Sequence, residues 1–199
     1  MTKFVLHRAN DLYQSVLPVG FSGAEIDLRL HFGKLVLAHD PLTDGASLEE
    51  WLSTFTGDLV ILNTKETGIE EMVTQVIASI SPRIEYFFLD LPVPSLVKAI
   101  NDQISVATRI SEIEPISFSN KVPSSWIWLD SFSGDWSHME ELKVSRENFS
   151  QKICLVSPEL QGRWPNIHSQ EFEWLKNYMR EHSHVIQAIC TKDLSFWVG

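Results

Sequence analysis

Apolar residues in this chain come in short runs separated by charged and turn-forming segments. FVL at 4–6, AEIDLRL at 24–30, LVILN at 59–63, YFFLD at 86–90, SVATR at 105–109, WIWLD at 126–130, KICLVS at 152–157 and VIQAIC at 185–190 all have strand length and β-rich composition. Between several of them the period changes from two to 3.6. Ile69, Met72, Val73, Val76, Ile77 and Ile80 fall on one helical face between Gly68 and Pro82. Ser47 and Glu50 have capping-box spacing ahead of Trp51, and SQEFEWLKNYMREH predicts a further helix with Phe172, Leu175 and Met179 turned inward. Strands alternating with helices predict parallel pairing with both faces covered. No GxGxxG or GxxxxGK loop follows the first run, so eight strands favour closure into a compact (β/α)8 barrel over a doubly wound sheet. The expectation is one α/β domain spanning residues 1–199. LRLHFGKLVLAHD reads as a strand, a Phe32-Gly33 turn and a returning strand that carries His39 back toward the mouth. NDLYQSVLPVG has room for barely two helical turns, and Pro92-Val93-Pro94 reads as a rigid loop.

Composition narrows the choice of partners. A formal charge of −10 opposes nucleic acid and anionic membrane surfaces in the absence of a basic cluster. The opening MTKFVLHRAND lacks the apolar core of a secretory signal, and no run reaches the roughly 20 apolar residues a spanning helix needs. The chain is therefore expected to be cytoplasmic and without a transmembrane segment, its oligomeric state open. Cys154 and Cys190 lack metal or redox spacing and read as reduced packing residues. Asn148-Phe149-Ser150 has the form of a glycosylation acceptor, which has no bearing on a cytoplasmic chain.

Chemistry enters where the apolar runs end. His7 and Arg8, Asn63, Asp90, Arg109, Asp130, and Ser157 with Glu159 each terminate a run, and in a barrel such ends converge on one rim. Independent salt bridges at strand ends would give the same pattern. Glu25 and Asp27, two apart on a strand, share the face opposite Ala24, Ile26 and Leu28. Two like charges side by side call for a counter-charge. A hard divalent cation, Mg2+ or Ca2+, would supply it with Asn63 or Asp130 completing the site; Arg8, Arg29 or Lys65 would supply it otherwise. His7 and His39 are the candidate proton carriers, and Arg8, Lys65 and Arg109 the groups suited to a phosphate. Trp126 and Trp128 lie on the face that presents Asp130 and would either wall a pocket or fill the interior. Trp51, Trp136, Trp164, Trp174 and Trp197 have no spacing that suggests a ligand and read as packing.

These residues resemble the ordered motifs of the glycerophosphodiester phosphodiesterase and phosphatidylinositol-specific phospholipase C-like superfamily. HR at 7 and 8, EID at 25–27, HD at 39 and 40 and NTK at 63–65 stand where that family places His-Arg, Glu-x-Asp, His-Asp and Glu-x-Lys. The whole chain is also similar to a small bacterial branch found near surface-polysaccharide genes, through HRAN, EIDLR, HDP, FFLD, WIWLDSF and SPELQGR. The resemblance implies a phospholipase C-like barrel, acid–base roles for His7 and His39, and a metal held by Glu25, Asp27 and Asn63. Ala9 replaces a usual glycine, a Pro-Glu-Asn-Thr segment is missing before Glu25, and Asn63 replaces a glutamate ligand, which weakens attraction for a cation.

The expected function is a metal-dependent hydrolase of a glycerophosphodiester, phospholipid headgroup or related small diester. Arg8, Lys65, Arg109, Trp128, Asp130 and Glu159 would bind the substrate. The alternative is a noncatalytic barrel that binds a phosphorylated ligand in surface-polysaccharide biosynthesis.

Overall fold

The computed structural model describes residues 2–145, 150–182 and 184–198, so Asn148 and Phe149 of the acceptor tripeptide lie outside the described residues. The chain falls into two compact units, one of Val5–Val106 and one of Met1–Phe4 with Ala107–Gly199.

In the Val5–Val106 unit the central strand is β2 (Gly23–His31). It pairs in parallel with β1 (Lys3–Leu6) at Leu6↔Ala24 and with β5 (Leu59–Thr64) from Gly23↔Leu59 to Leu28↔Thr64. Strand β6 (Glu85–Leu89) extends this parallel set beside β5. Because β1 stops at Leu6 and β5 at Thr64, β2 runs on beyond both neighbours, and its projecting end folds back as β3 (Lys34–Leu37). Phe32 and Gly33 make that turn, with φ of 46° and 77°. Positive φ at both central residues is the geometry that matches the twist of a two-residue hairpin. A short antiparallel β4 (Ala46–Ser47) then pairs with β3. Ser47 caps α1 (Leu48–Thr54) by accepting from the Glu50 N–H at 3.2 Å. Helix α2 (Glu70–Ile80) buries Val73 and Ile77, while Met72 stays 42% exposed because the apolar face is wider than its contact. The rigid Pro92-Val93-Pro94 loop is instead the start of α3 (Val93–Asn101), where proline fits because the first helical N–H groups need no partner. The 10–20 segment contains only a single 3₁₀ turn, Leu12–Ser15.

The other unit is a parallel set in the order β10 (Ala188–Thr191), β9 (Lys152–Val156), β8 (Trp126–Leu129), β7 (Ala107–Ile110). Helix α4 (Ile116–Lys121) follows β7, and α5 (His138–Ser145) and α6 (Ser169–Glu181) follow β8 and β9. Its core gathers Ile127, Leu129, Ile153 and Leu155 from the strands with Met139, Phe172 and Leu175 from the helices. Trp126 and Trp128 are 2% and 4% exposed within β8, so both fill space.

The closed, all-parallel (β/α)8 barrel of phospholipase C type is not what the chain forms. Its strands are of mixed direction, since β2–β3 and β3–β4 pair antiparallel. On its side away from β5, strand β6 has among the described residues only an isolated bridge, Phe88↔Val106, in place of a ladder. Period-two runs identify strands, but closure depends on a tilt and stagger that accumulate over every pairing and leave no local mark. Among the described residues no helix is long and apolar enough to cross a membrane.

Candidate functional site

The carboxylates of Glu25 and Asp27 leave β2 on one face, level with the ends of β1 and β5, and are 1% and 0% exposed. The chain leaving β1 bends over them. Arg8 adopts the left-handed region at φ 53°, a conformation that costs a residue with a Cβ about 1 kcal/mol or more. In return its N–H donates to Glu25 Oε2 at 2.8 Å, and the Ala9 N–H reaches the Glu25 carbonyl at 2.8 Å. Asn10 then grips Asp27 twice: its Nδ2 donates to Oδ2 at 2.8 Å and its Oδ1 accepts from the Asp27 N–H at 2.9 Å. Residues 8–10 thus replace the strand ladder with a clip on both acids.

Opposite the clip, β5 supplies Asn63, and Lys65 follows directly after the strand. Asn63 Nδ2 donates to Glu25 Oε1 at 3.0 Å, and the Lys65 ammonium lies 2.9 Å from Asp27 Oδ1. Arg8 Nε stands 3.4 Å from Asp27 Oδ2, and His7 Nε2 is 3.7 Å from Glu25 Oε2. The two cations serve Asp27, whereas Glu25 has neutral donors and an acid beside it. Burial, reinforced by the Asp27 charge, raises Glu25 to about 7 against the opposing pull of the Arg8 N–H, Asn63 and Lys65. The buried Oδ1 of Asn63 has no hydrogen-bond partner among the described residues.

His39 follows β3, where the Ala38 N–H bonds the Asp27 carbonyl at 3.0 Å. Its Nδ1 is 2.8 Å from Asp40 Oδ1, and its carbonyl accepts from Arg29 Nη2 at 2.9 Å. The His39 partnership, helped by the fields of Arg8 and Arg29, lowers Asp40 below the usual carboxylate range. Arg29 is held by Glu66 at 3.5 Å and takes no part in neutralising the acid pair. Asp90, at the end of β6, also sits in the left-handed region, at φ 60°.

The remaining expected residues belong to the other unit. Asp130 is 1% exposed and ion-paired with Arg109; Gln161 Nε2 donates to both its oxygens at 3.2 and 3.0 Å, and the Ser131 N–H to Oδ1 at 2.8 Å. Burial still raises the Asp130 carboxyl against those donors. Arg109 also approaches Glu114 at 3.4 Å and stacks 5.5 Å from the centre of the Phe132 ring. Glu159 is a buried clamp: Oε1 accepts from Thr191 Oγ1 at 2.6 Å and from the Lys192 N–H at 2.9 Å, and Oε2 accepts from the Ser157 hydroxyl.

The donor set does not fit the expected metal centre. Among the described residues no three His, Cys, Asp or Glu side chains are grouped to hold an ion. Lys65 already faces Asp27, and Asn63 turns its amide N–H, rather than its oxygen, to Glu25. The expectation of a metal-binding protein is therefore corrected to this extent: no qualifying metal cluster forms among the described residues, and cationic and amide donors already compensate the Glu25–Asp27 pair.

Sequence spacing missed Asn10 and Gln161. Neither lies in a periodic run, and a two-point grip by an asparagine is fixed by where the chain turns after β1. No protein-family model matches the chain, and no curated protein or solved structure matches it either. The resemblance to glycerophosphodiester phosphodiesterases and phospholipase C-like enzymes is corrected as well, because their all-parallel barrel is replaced here by strands of mixed direction.

Proposed function

We propose that the strand-end network of the Val5–Val106 unit binds a small phosphodiester and cleaves it by acid–base chemistry. The reading rests on one juxtaposition, His7 Nε2 at 3.7 Å from a buried Glu25 carboxyl that holds its proton to about 7. Two groups able to exchange a proton near neutrality, beside the Arg8 and Lys65 cations, suit attack on a phosphoryl centre. The outer nitrogens of Arg8, whose side chain is 48% exposed, steady the phosphoryl oxygens, and the Asn63 carbonyl oxygen accepts from a substrate hydroxyl. His39, oriented by Asp40, is the second proton carrier. The test is turnover of glycerophosphodiesters, lysophospholipids and nucleotide-sugar-like diesters, with and without divalent ions, by wild type, His7→Ala and His39→Ala. Each substitution is expected to slow turnover by roughly 10²-fold or more while the fold persists. Near-wild-type rates in both variants overturn the mechanism.

A second reading is a noncatalytic module for a phosphorylated ligand. It is favoured by Asp27, whose charge is already met by Lys65, Arg8 and Asn10. Saturable binding of the same diesters without turnover decides for it.

A further inference from the structure

Trp136 and Trp174, which no spacing connects, meet at a cleft of about 330 Å3 that Gly134, Asp135, Glu140 and Glu171 also line. We propose that this cleft binds an alkylammonium group, a small organic cation with an apolar skin.

The loop that forms one wall is held in place more firmly than its exposure requires. Arg163 donates to the carbonyls of Ser131 at 2.8 Å and Phe132 at 3.0 Å, while Glu112 accepts from the Phe132 and Ser133 N–H groups at 2.9 and 2.6 Å. Ser131 Oγ bonds the Asp135 carbonyl at 3.0 Å and takes the Gly134 N–H at 2.9 Å. Gly134 has φ 90°, a conformation that glycine adopts without strain. Trp136 is fixed from behind, its indole N–H on Glu171 Oε1 at 2.8 Å. A wall pinned at so many points is preorganised, which lowers the entropic cost of binding.

The opposite wall is α6, which presents Glu171 and Trp174 one turn apart, with Trp174 41% exposed. Among the described residues the lining holds three carboxylates and no cation. Arg163, which stands outside the lining, ion-pairs with Glu171 at 3.0 Å, and the Ser137 N–H holds the Asp135 carboxyl below the usual range. Negative charge beside aromatic surface attracts a cation whose alkyl groups meet the rings while its charge meets the acids. A neutral sugar fits less well: the Trp136 N–H is already engaged, and the carboxylates offer acceptors with few donors.

The experiment is calorimetric titration of the full chain with tetramethylammonium, choline, the uncharged choline isostere 3,3-dimethyl-1-butanol, and glucose, paired with NMR of the tryptophan indole N–H signals. Both cations should bind saturably and shift the Trp136 and Trp174 signals, with choline at least about tenfold tighter than its isostere. Trp174→Ala should weaken choline about tenfold, and the exposed Glu140→Gln severalfold, with the thermal transition of each variant confirming the fold. Binding of the isostere or of glucose as tightly as choline overturns the proposal. So does the absence of saturable cation binding, or unchanged affinity in both variants. If Trp174→Ala fails to fold, Glu140→Gln and the isostere comparison still decide.

Discussion

Glu25 and Glu159 are each 1% exposed, yet their surroundings differ in kind. Glu159 is enclosed by neutral hydroxyls and a backbone N–H, and the Ser157 hydroxyl that serves it is itself held by the Trp197 indole at 2.9 Å. The group ties the segment after β9 to the segment after β10. Glu25 shares its strand face with another acid, and the two nearby cations are turned to that neighbour. Its closest imidazole, at 3.7 Å, is too far for a hydrogen bond in this state. A satisfied buried carboxylate stores stability. One left short of positive charge stores a proton, and that proton is what chemistry at neutral pH can use.

The contrast is broken most forcefully at Glu159. Glu159→Ala removes the acceptor that the Thr191 and Ser157 hydroxyls and the Lys192 N–H share, so chemical denaturation should show a loss of about 3 kcal/mol or more. A loss under about 1 kcal/mol would remove its role as a clamp.

Glu25 should answer to pH. The unfolded chain releases this proton near 4.5 and the folded chain near 7, so between those values the folded state holds more protons. Stability should therefore fall as pH rises through that window, by up to about 3 kcal/mol, and level off above it. Denaturation curves at several pH values should show this slope in wild type and not in Glu25→Gln. Identical slopes would place the proton elsewhere.

A smaller effect sharpens the comparison at the clip. Asn10→Ala removes both bonds to Asp27 and should cost about 2 kcal/mol, in contrast to a surface asparagine, whose loss falls within about 0.5 kcal/mol. A neutral outcome would mean that Lys65 and Arg8 hold Asp27 unaided.

Much of this was legible along the chain, and the boundary has a physical cause. All eight apolar runs became strands, the 169–182 helix pattern became α6, and Phe32-Gly33 turned where expected, because period and turn chemistry are local. Glu25 and Asp27 share a face because alternation on a strand guarantees it. Their counter-charges were less legible: Lys65 was weighed against a metal, and only the β2–β5 register, which sets Asp27 opposite Asn63, brings the ammonium to the acid. Barrel closure was misread for a related reason. Strand identity is encoded run by run, whereas edge pairing depends on connections such as the hairpin return that sets β3 antiparallel to β2 and β4 antiparallel to β3. The Trp136–Trp174 cleft was invisible because residues 38 apart meet only through the packing of α6 against the loop after β8.

The distinction between a proton store and a structural acid is tested most directly by steady-state diester turnover in wild type, Glu25→Gln and Asp130→Asn, each checked for folding by its thermal transition. The account predicts turnover in wild type and a loss of roughly 10²-fold or more in a fully folded Glu25→Gln protein. It predicts rates near wild type in the folded fraction of Asp130→Asn, whose carboxylate is committed to Arg109 and Gln161. A folded Glu25→Gln protein that turns over diesters at the wild-type rate, or a wild-type protein that cleaves none, would contradict it.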